Sequence, residues 1–168
     1  SKAAILDILV ILDRSGSMQA AKADHEGGLK AFVAEQRKAK GDARFTLVQF
    51  DSTNPCEVVY DRVSLADVGD IVLYPRGSTP LLDAIGKAVS HLRGKVGDGA
   101  VVALVVTDGQ ENDSTEWKKE QVRSLITELE GKKWTFTFLG ANIDAFAEAG
   151  GLGMGVLRTM AFTNNSAG

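Results

Sequence analysis

Cysteine and long apolar runs are nearly absent from this sequence, and both absences narrow the class of protein. The single cysteine, Cys56, has no partner for an internal disulfide, so nothing indicates an oxidising compartment. No apolar run approaches the roughly 20 residues needed to span a bilayer, and the N-terminus lacks a charged segment followed by an apolar signal core. These features lead us to expect a cytoplasmic protein that does not insert into a membrane.

Basic charge is not in excess either. The chain has 19 lysine and arginine residues against 22 aspartate and glutamate residues, which gives a formal net charge of -3. The chain therefore has no excess of basic residues to bind phosphate backbones or anionic membranes, and we expect no nucleic-acid partner. With 168 residues, of which 44% are hydrophobic and 24% charged, the composition is typical of one globular domain, and we expect a single domain over residues 1–168.

What the sequence does contain is a regular alternation of β-rich runs and amphipathic stretches. This order predicts a Rossmann-like, doubly wound α/β fold, with a mostly parallel sheet and helices on both faces. Two runs, 44–50 and 57–60, flank a tight polar loop, which indicates a hairpin and hence one antiparallel edge strand. The other predicted strands are 5–12, 100–107, 134–139 and a terminal 156–162; the predicted helices are 20–38, one carrying Leu82, Ile85, Val89 and Leu92, one carrying Val122, Leu125, Ile126 and Leu129, and a short one over 143–149.

Capping and stop residues predict where two of the helices begin and end. Pro80 suits a first helical turn, so Thr79 is the predicted N-cap of the second helix, and Gly94 is its predicted stop. Asp113 with Glu116 resembles a capping box, which predicts that the third helix begins close to Asp113.

Three polar turns stand where a parallel sheet usually binds its ligand. The segments 13–17 (Asp-Arg-Ser-Gly-Ser), 77–80 (Gly-Ser-Thr-Pro) and 107–109 (Thr-Asp-Gly) each lie just past the end of a strand or at the start of a helix. In an open parallel sheet, such positions converge on one crevice at the carboxyl edge of the strands. We therefore expect the three turns to share one site.

The oxygen-bearing side chains of these turns suit a hard divalent cation. Asp13, Ser15 and Ser17 are spaced two residues apart, so an irregular turn can aim all three oxygens at one point. Mg²⁺ prefers oxygen ligands in a near-octahedral shell and keeps several waters. The hydroxyls of the two serines and of Thr79 would supply neutral ligands. Asp13 and Asp108 would hold the ion through its waters or through the serine hydroxyls.

Carboxylates held back from the ion leave its charge incompletely neutralised. The ion then keeps affinity for an external anion, and an Asp or Glu carboxylate of a partner protein would complete its shell. Mg²⁺ is the expected ion, with Mn²⁺ and Ca²⁺ as alternatives. The chemistry that follows is adhesion or assembly rather than the breaking of bonds.

The same residues closely resemble the metal-ion-dependent adhesion site of the von Willebrand factor A family. That site has the pattern Asp-x-Ser-x-Ser, a distant Thr, and an Asp-Gly after a central strand; the matches here are 13–17, Thr79 and 108–109. The order of strands and helices also agrees, so the resemblance covers about residues 5 to 162. The stretch 138–142 is similar to the stand-alone bacterial and phage members. The resemblance implies the family fold, an intact metal site and binding of a protein.

Residues beside the expected ligands would form a rim that contacts the partner protein and selects it. These rim residues are Gly16, Ser78, Gly109, Glu111 and Asn112. For the neighbouring Asp113, capping of the following helix is the favoured interpretation.

Two other functions are open to the same crevice. One is a Mg²⁺-dependent phosphoryl-transfer or hydrolytic enzyme, which needs a positioned nucleophile or base as well as the metal. The segment 13–17 has no second carboxylate and the three turns hold no histidine, so we expect no enzymatic activity and no catalytic residue. The other is a scaffold that has lost its metal, against which the intact ligand positions argue.

The remaining reactive or glycine-rich features receive ordinary structural interpretations. His25 and His91 lie on predicted helices without zinc-ligand spacing, so we expect both at the surface. Cys56 is expected to be a passive packing residue. The glycine-rich segment 150–155 follows a predicted helix rather than a strand, which disfavours a nucleotide-binding loop.

Overall fold

Strands and helices alternate along the chain, as the sequence predicts. The computed structural model describes residues 5–38, 42–97, 99–107, 113–140 and 155–158. A 3-10 helix, Gly16–Ala21, precedes the first α-helix, and a shorter one, Leu65–Asp67, follows the third strand. The strands are β1 (Leu6–Asp13), β2 (Ala43–Phe50), β3 (Glu57–Ser64), β4 (Val101–Val106), β5 (Trp134–Gly140) and β6 (Gly155–Arg158), and the α-helices are α1 (Lys22–Lys38), α2 (Leu81–Val96) and α3 (Lys119–Glu130).

The strands form one sheet in the order β3-β2-β1-β4-β5-β6. Neighbouring strands are parallel except β2 and β3, which pair antiparallel at one edge. The predicted fold class is therefore confirmed: a mostly parallel, doubly wound sheet with one antiparallel edge strand. Since the crossovers place β1 beside both β2 and β4, the carboxyl ends of these three strands share one edge of the sheet.

The central strand β1 is buried on both faces because helices cover the sheet from both sides. Leu9 and Ile11 pack with α2 and α3 on one face, whereas Ile8, Val10 and Leu12 pack with α1 on the other. All of these side chains are fully buried. This double burial explains why β1 is a continuous apolar run instead of an alternation of apolar and polar residues.

Asp7 is the polar exception within β1, and the edge strand β3 neutralises it. The Arg62 guanidinium donates to both carboxylate oxygens, from Nε at 2.9 Å and from Nη2 at 3.1 Å. Arg62 has a φ of 53°, and it lies where the pairing of β2 with β3 shifts register. The shift is a β-bulge, which re-aims a side chain. A bulge at the edge strand therefore satisfies a carboxylate buried in the sheet.

The second helix begins later than predicted. α2 starts at Leu81 with Pro80 at its N-cap position, so the prediction of Thr79 as the N-cap residue is wrong by one position. The Thr79 hydroxyl donates a hydrogen bond to the hydroxyl of Ser15, on a different loop. A tertiary partner thus determines the orientation of this side chain.

The second helix also ends later than predicted. Gly94 does not stop α2, which continues to Val96 and ends before Gly97. Gly97 has a φ of 58°, a left-handed conformation that glycine adopts at little cost. The glycine that ends α2 is therefore Gly97, and the prediction of Gly94 is wrong.

The third helix begins after the predicted capping box. Its N-cap residue is Lys118, whose amide donates to the Gln121 side chain at 2.8 Å, so the prediction that Asp113 and Glu116 cap this helix is wrong. The reason is a competing acceptor, because three successive backbone amides around Glu116 donate to the buried carboxylate of Asp83 on α2. The segment before α3 is therefore fastened to α2 as a turn.

His25 is buried, which corrects the expectation that it lies at the surface. It shares one face of α1 with Leu29, Phe32 and Val33, and this face covers the sheet. The helical spacing of these residues places His25 on the apolar side. His91 is partly exposed and lies 3.1 Å from a carboxylate oxygen of Asp61.

Some predictions fall outside the described residues. These are the helix over 143–149, the glycine-rich positions 150–154 and the end of the last strand, 159–162. Across the part of the chain that the structure describes, no helix combines the length and apolar character that crossing a membrane requires.

Alanine at Gly86 and at Gly94 makes a matched pair of changes within α2. A Cβ at position 86 would lie 2.2 Å from the Trp117 ring, whereas a Cβ at position 94 would meet nothing within 4 Å. We expect Gly94→Ala to raise the free energy of unfolding by about 0.5–1 kcal/mol through helix propensity. Gly86→Ala should lower it by about 1–3 kcal/mol through overpacking. Urea unfolding measures both values, and equal effects would contradict the position of Trp117.

Candidate metal centre

Asp13 ends β1 and is fully buried, with both carboxylate oxygens engaged. The Ser15 amide donates to Oδ1 at 2.7 Å, and the Thr107 hydroxyl, which follows β4, donates to Oδ2 at 2.5 Å. The parallel register places Leu12 beside Val106, so the residues that follow on each strand meet at one edge. The first turn is thereby joined to the start of the third.

The first and second turns also meet. The Thr79 hydroxyl donates to Ser15 Oγ across 3.0 Å, although the two residues are 64 positions apart. Both residues are buried, and the backbone reinforces the contact because the Gly16 amide donates to the Gly77 carbonyl at 2.9 Å. The structure therefore brings three of the predicted ligand residues, Asp13 among them, to one end of the sheet.

Burial raises the pKa of the Asp13 carboxyl above its ordinary value of 3.8. Hydrogen bonds from Ser15 and Thr107 lower it, without cancelling the cost of removing a charge from water. A cation placed beside Asp13 would therefore stabilise the charged form of this carboxyl group.

The structure describes only some of the remaining predicted ligands and rim residues. Ser17 lies in the 3-10 helix that follows Ser15, but its side chain is outside the described part of the structure. Of the rim, Gly16 and Ser78 are exposed beside the buried hydroxyls. Outside the described residues lie Asp108, Gly109, Glu111 and Asn112.

Comparison with known protein families identifies the family to which the chain belongs. The family model described as "von Willebrand factor type A domain" matches residues 7–167. The chain belongs to the von Willebrand factor A domain family. Members of this family are generally non-catalytic modules that bind other proteins. A search of curated proteins found no match.

Two solved structures show the same fold as this von Willebrand factor A domain. Proximal thread matrix protein 1 (PTMP1) from the mussel byssus has a TM-score of 0.68 and 21% identity, over 96% of this chain and 44% of that one. A von Willebrand factor type A protein from Catenulispora acidiphila has a TM-score of 0.67 and 15% identity, over 98% of this chain and 41% of that one. The chain thus spans less than half the length of either protein.

An ion cluster around the buried Asp51 lies beside the first two turns, and the sequence does not predict it. Asp51, which follows β2, is fully buried, and its Oδ2 accepts from Nε of both Arg14 and Arg76 at 2.6 Å. Arg14 also donates to Gln49 at 2.9 Å and to Glu57 at 2.7 Å. Arg14 belongs to the first turn and Arg76 precedes the second, so one carboxylate holds both turns of this von Willebrand factor A domain.

The loop after β2 also fixes the backbone of the second turn. The Ser52 hydroxyl accepts from the Ser78 amide at 3.0 Å. Gly77 has a φ of 73°, and a Cβ there would lie 2.5 Å from Ser52 Oγ. Glycine is thus required at position 77 both by conformation and by space. The contacts with Ser52 therefore fix the backbone at Gly77 and Ser78, directly before Thr79.

Only part of this cluster had a signal in the sequence. Asp51 follows a parallel strand at the same edge as Asp13, and that placement alone could have suggested a carboxylate at the site. The pattern of the surrounding strands, however, predicts only a hairpin loop for the polar run that contains Asp51. Nothing in the spacing of Arg14 or Arg76 showed that they share a partner.

Acid should weaken the domain through Asp51. Burial by itself would raise the pKa of Asp51, but hydrogen bonds from Arg76, the Asn54 amide and Arg14 outweigh it and lower the pKa from 3.8 to about 2. A depressed pKa stabilises the folded state above pH 4, and this stability is lost as the pH falls towards 2. The expected loss is about 2 kcal/mol.

Asp51→Asn tests this acid dependence. At pH 7 it should lower the free energy of unfolding by about 2–4 kcal/mol, because two arginines lose their shared counter-charge. It should also remove the part of the acid dependence between pH 4 and pH 2, measured by urea unfolding. Asp70→Asn is the matched control, since Asp70 is exposed, and should change stability by less than about 0.5 kcal/mol. An unchanged acid profile in Asp51→Asn would contradict the prediction.

Proposed function

We propose that this von Willebrand factor A domain is a metal-dependent protein-binding module. A divalent cation, most simply Mg²⁺, with Mn²⁺ or Ca²⁺ as alternatives, is held by the hydroxyls of Ser15, Ser17 and Thr79. Asp13 and Asp108 orient the shell, and a carboxylate of a partner protein completes it. The observation that carries the proposal is the 3.0 Å contact between the Ser15 and Thr79 hydroxyls.

The spacing of those hydroxyls fits a small octahedral ion. Ligand oxygens at about 2.0–2.1 Å from Mg²⁺ and at right angles to each other lie about 2.9 Å apart. Ser15 Oγ and Thr79 Oγ1 lie 3.0 Å apart. The two hydroxyl oxygens therefore have the spacing that two neighbouring ligands of such an ion need.

The contacts of Asp13 support its indirect role. Both of its oxygens are already engaged, one with the Ser15 amide and the other with the Thr107 hydroxyl. These two bonds hold the carboxylate in place and leave fewer of its lone pairs for direct coordination of an ion. A carboxylate kept one step from the ion attracts it through space while leaving positive charge for an external anion.

The surroundings favour an acidic partner. Gly16 and Ser78 are exposed on either side of the buried hydroxyls, so a partner can reach the rim. Arg76, which precedes the second turn, binds Asp51 through Nε and is 56% exposed at its side chain. Its positive charge lies close to where the proposal puts the acid of the partner.

The first test measures the metal without any partner. Thr79→Val keeps the shape of the side chain but removes the hydroxyl, so it should abolish Mg²⁺ binding in titration calorimetry, while Thr79→Ser should retain it. Mg²⁺ at about 100 times its dissociation constant should stabilise the wild-type fold by about 2.7 kcal/mol and leave Thr79→Val unaffected. Wild-type affinity in Thr79→Val would rule out the proposed ligand set.

The second test concerns the partner and uses the same variant as its control. Proteins captured by the immobilised domain in Mg²⁺ should be released by a chelator and should not be captured by Thr79→Val. Capture that persists in excess chelator would contradict metal dependence. Metal-dependent turnover of a phosphate ester that Asp13→Ala removes would favour an enzyme instead.

A further inference from the structure

A groove runs along α1, and none of the residues that line it belongs to the candidate metal centre. It lies between α1 and the extended segment 68–72, and it has a volume of about 450 Å³. We call it the α1 groove. Its apolar walls include Leu29 and Val33 on α1 and Val68, Ile71 and Val72 on the facing segment, and Gly27 leaves space between them.

Both walls of the α1 groove lead directly to the candidate metal centre. Ser15 is joined to α1 by the 3-10 helix Gly16–Ala21, and the facing segment continues through Tyr74 to Thr79. The walls meet where Lys22 Nζ lies 5.8 Å from the centre of the Tyr74 ring. A 3-10 helix rises about 2 Å per residue, so along the chain this end of the groove is about 12 Å from Ser15. Gly27 lies about 7 Å further along α1, so about six residues of extended chain cover the whole distance.

The facing wall is held in place by contacts of its own. The Leu73 amide donates to a Glu26 carboxylate oxygen at 2.7 Å, and Arg37 donates to the Val68 carbonyl at 2.5 Å. On either side of the buried Leu73, Val72 is 43% exposed and Tyr74 is 72% exposed. These two exposed apolar side chains adjoin the groove, so an occupant of the groove would also cover them.

The charge of the α1 groove favours an acidic occupant. Glu26 and Arg37 are engaged with the facing wall. Within the described ranges, Lys22 and Lys30 form no salt bridge. Three cations and two carboxylates line the groove of a chain whose net charge is -3. The groove and the proposed metal site therefore attract the same kind of partner.

We infer that the α1 groove is a second contact site for the segment that supplies the metal-coordinating acid. The occupant is an extended, acidic peptide segment of a partner protein, with an apolar side chain about six residues from that acid. The acid completes the metal shell and the apolar side chain enters the groove between Gly27 and Val72. This inference rests on the proposed function, and its test separates the two.

Gly27→Leu fills the α1 groove without disturbing the fold. Gly27 lies within α1 and is exposed, and a Cβ there meets nothing within 4 Å. Leucine also favours a helix over glycine. Gly94→Leu is the matched control, because Gly94 is an exposed helical glycine of α2 with equally open space, away from the groove.

The probe is a phage-displayed library of random peptides, selected on the immobilised wild-type domain in Mg²⁺. Selected peptides should carry an acid with an apolar residue about six positions away, and a chelator should release them. Gly27→Leu should weaken their binding by roughly tenfold to a hundredfold, the effect of excluding one buried apolar side chain. Its Mg²⁺ affinity should not change, and Gly94→Leu should bind as the wild type does.

Three results would overturn the inference. Selected peptides that carry an acid but no apolar residue at that spacing would show that the groove is not a contact site. Full affinity of the peptides for Gly27→Leu would show the same, and both results would leave the metal-dependent function intact. The same holds if Mg²⁺ binds but no peptide is selected. Peptides that remain bound in chelator would contradict the proposed function itself.

Discussion

The parallel pairing of β1 with β2 on one side and β4 on the other determines where Asp13, Asp51 and Thr107 lie. Asp13 is in register with Phe50, and Leu12 with Val106. The residues that follow these strands, Asp51 and Thr107, therefore arrive at the same level as the first turn. A slip of one residue would turn each side chain to the other face of the sheet. The double burial of β1 makes such a slip costly.

Two buried carboxylates then fasten the turns to this frame. Asp51 holds the first and second turns through Arg14 and Arg76. Asp83 on α2 binds three amides of the segment that leads into α3, and Trp117 of that segment covers Gly86. These contacts are made by the protein's own groups, and together with the hydrogen bond from Thr79 to Ser15 they fix the hydroxyls of the candidate centre relative to the sheet.

The sequence predicted best what depends on burial and on local pattern. The apolar run of β1 and the antiparallel edge of β2 and β3 follow from periodicity and spacing along the chain. The start of α2 and the start of α3 do not, because each depends on a partner distant in sequence: Thr79 bonds to Ser15, and Asp83 accepts from the amides near Glu116. The burial of His25 could have been predicted, because its spacing from Leu29, Phe32 and Val33 puts it on the apolar side of α1.

The most direct test of this account is a crystal structure of the protein grown in Mn²⁺, with the anomalous signal used to locate the ion. We predict one peak within coordination distance of the Ser15 and Thr79 hydroxyls, with Asp13 reaching it through a hydroxyl or a water. A peak bound directly by the Asp13 carboxylate while the hydroxyls stay out of reach would contradict the account, as would an ion bound only elsewhere.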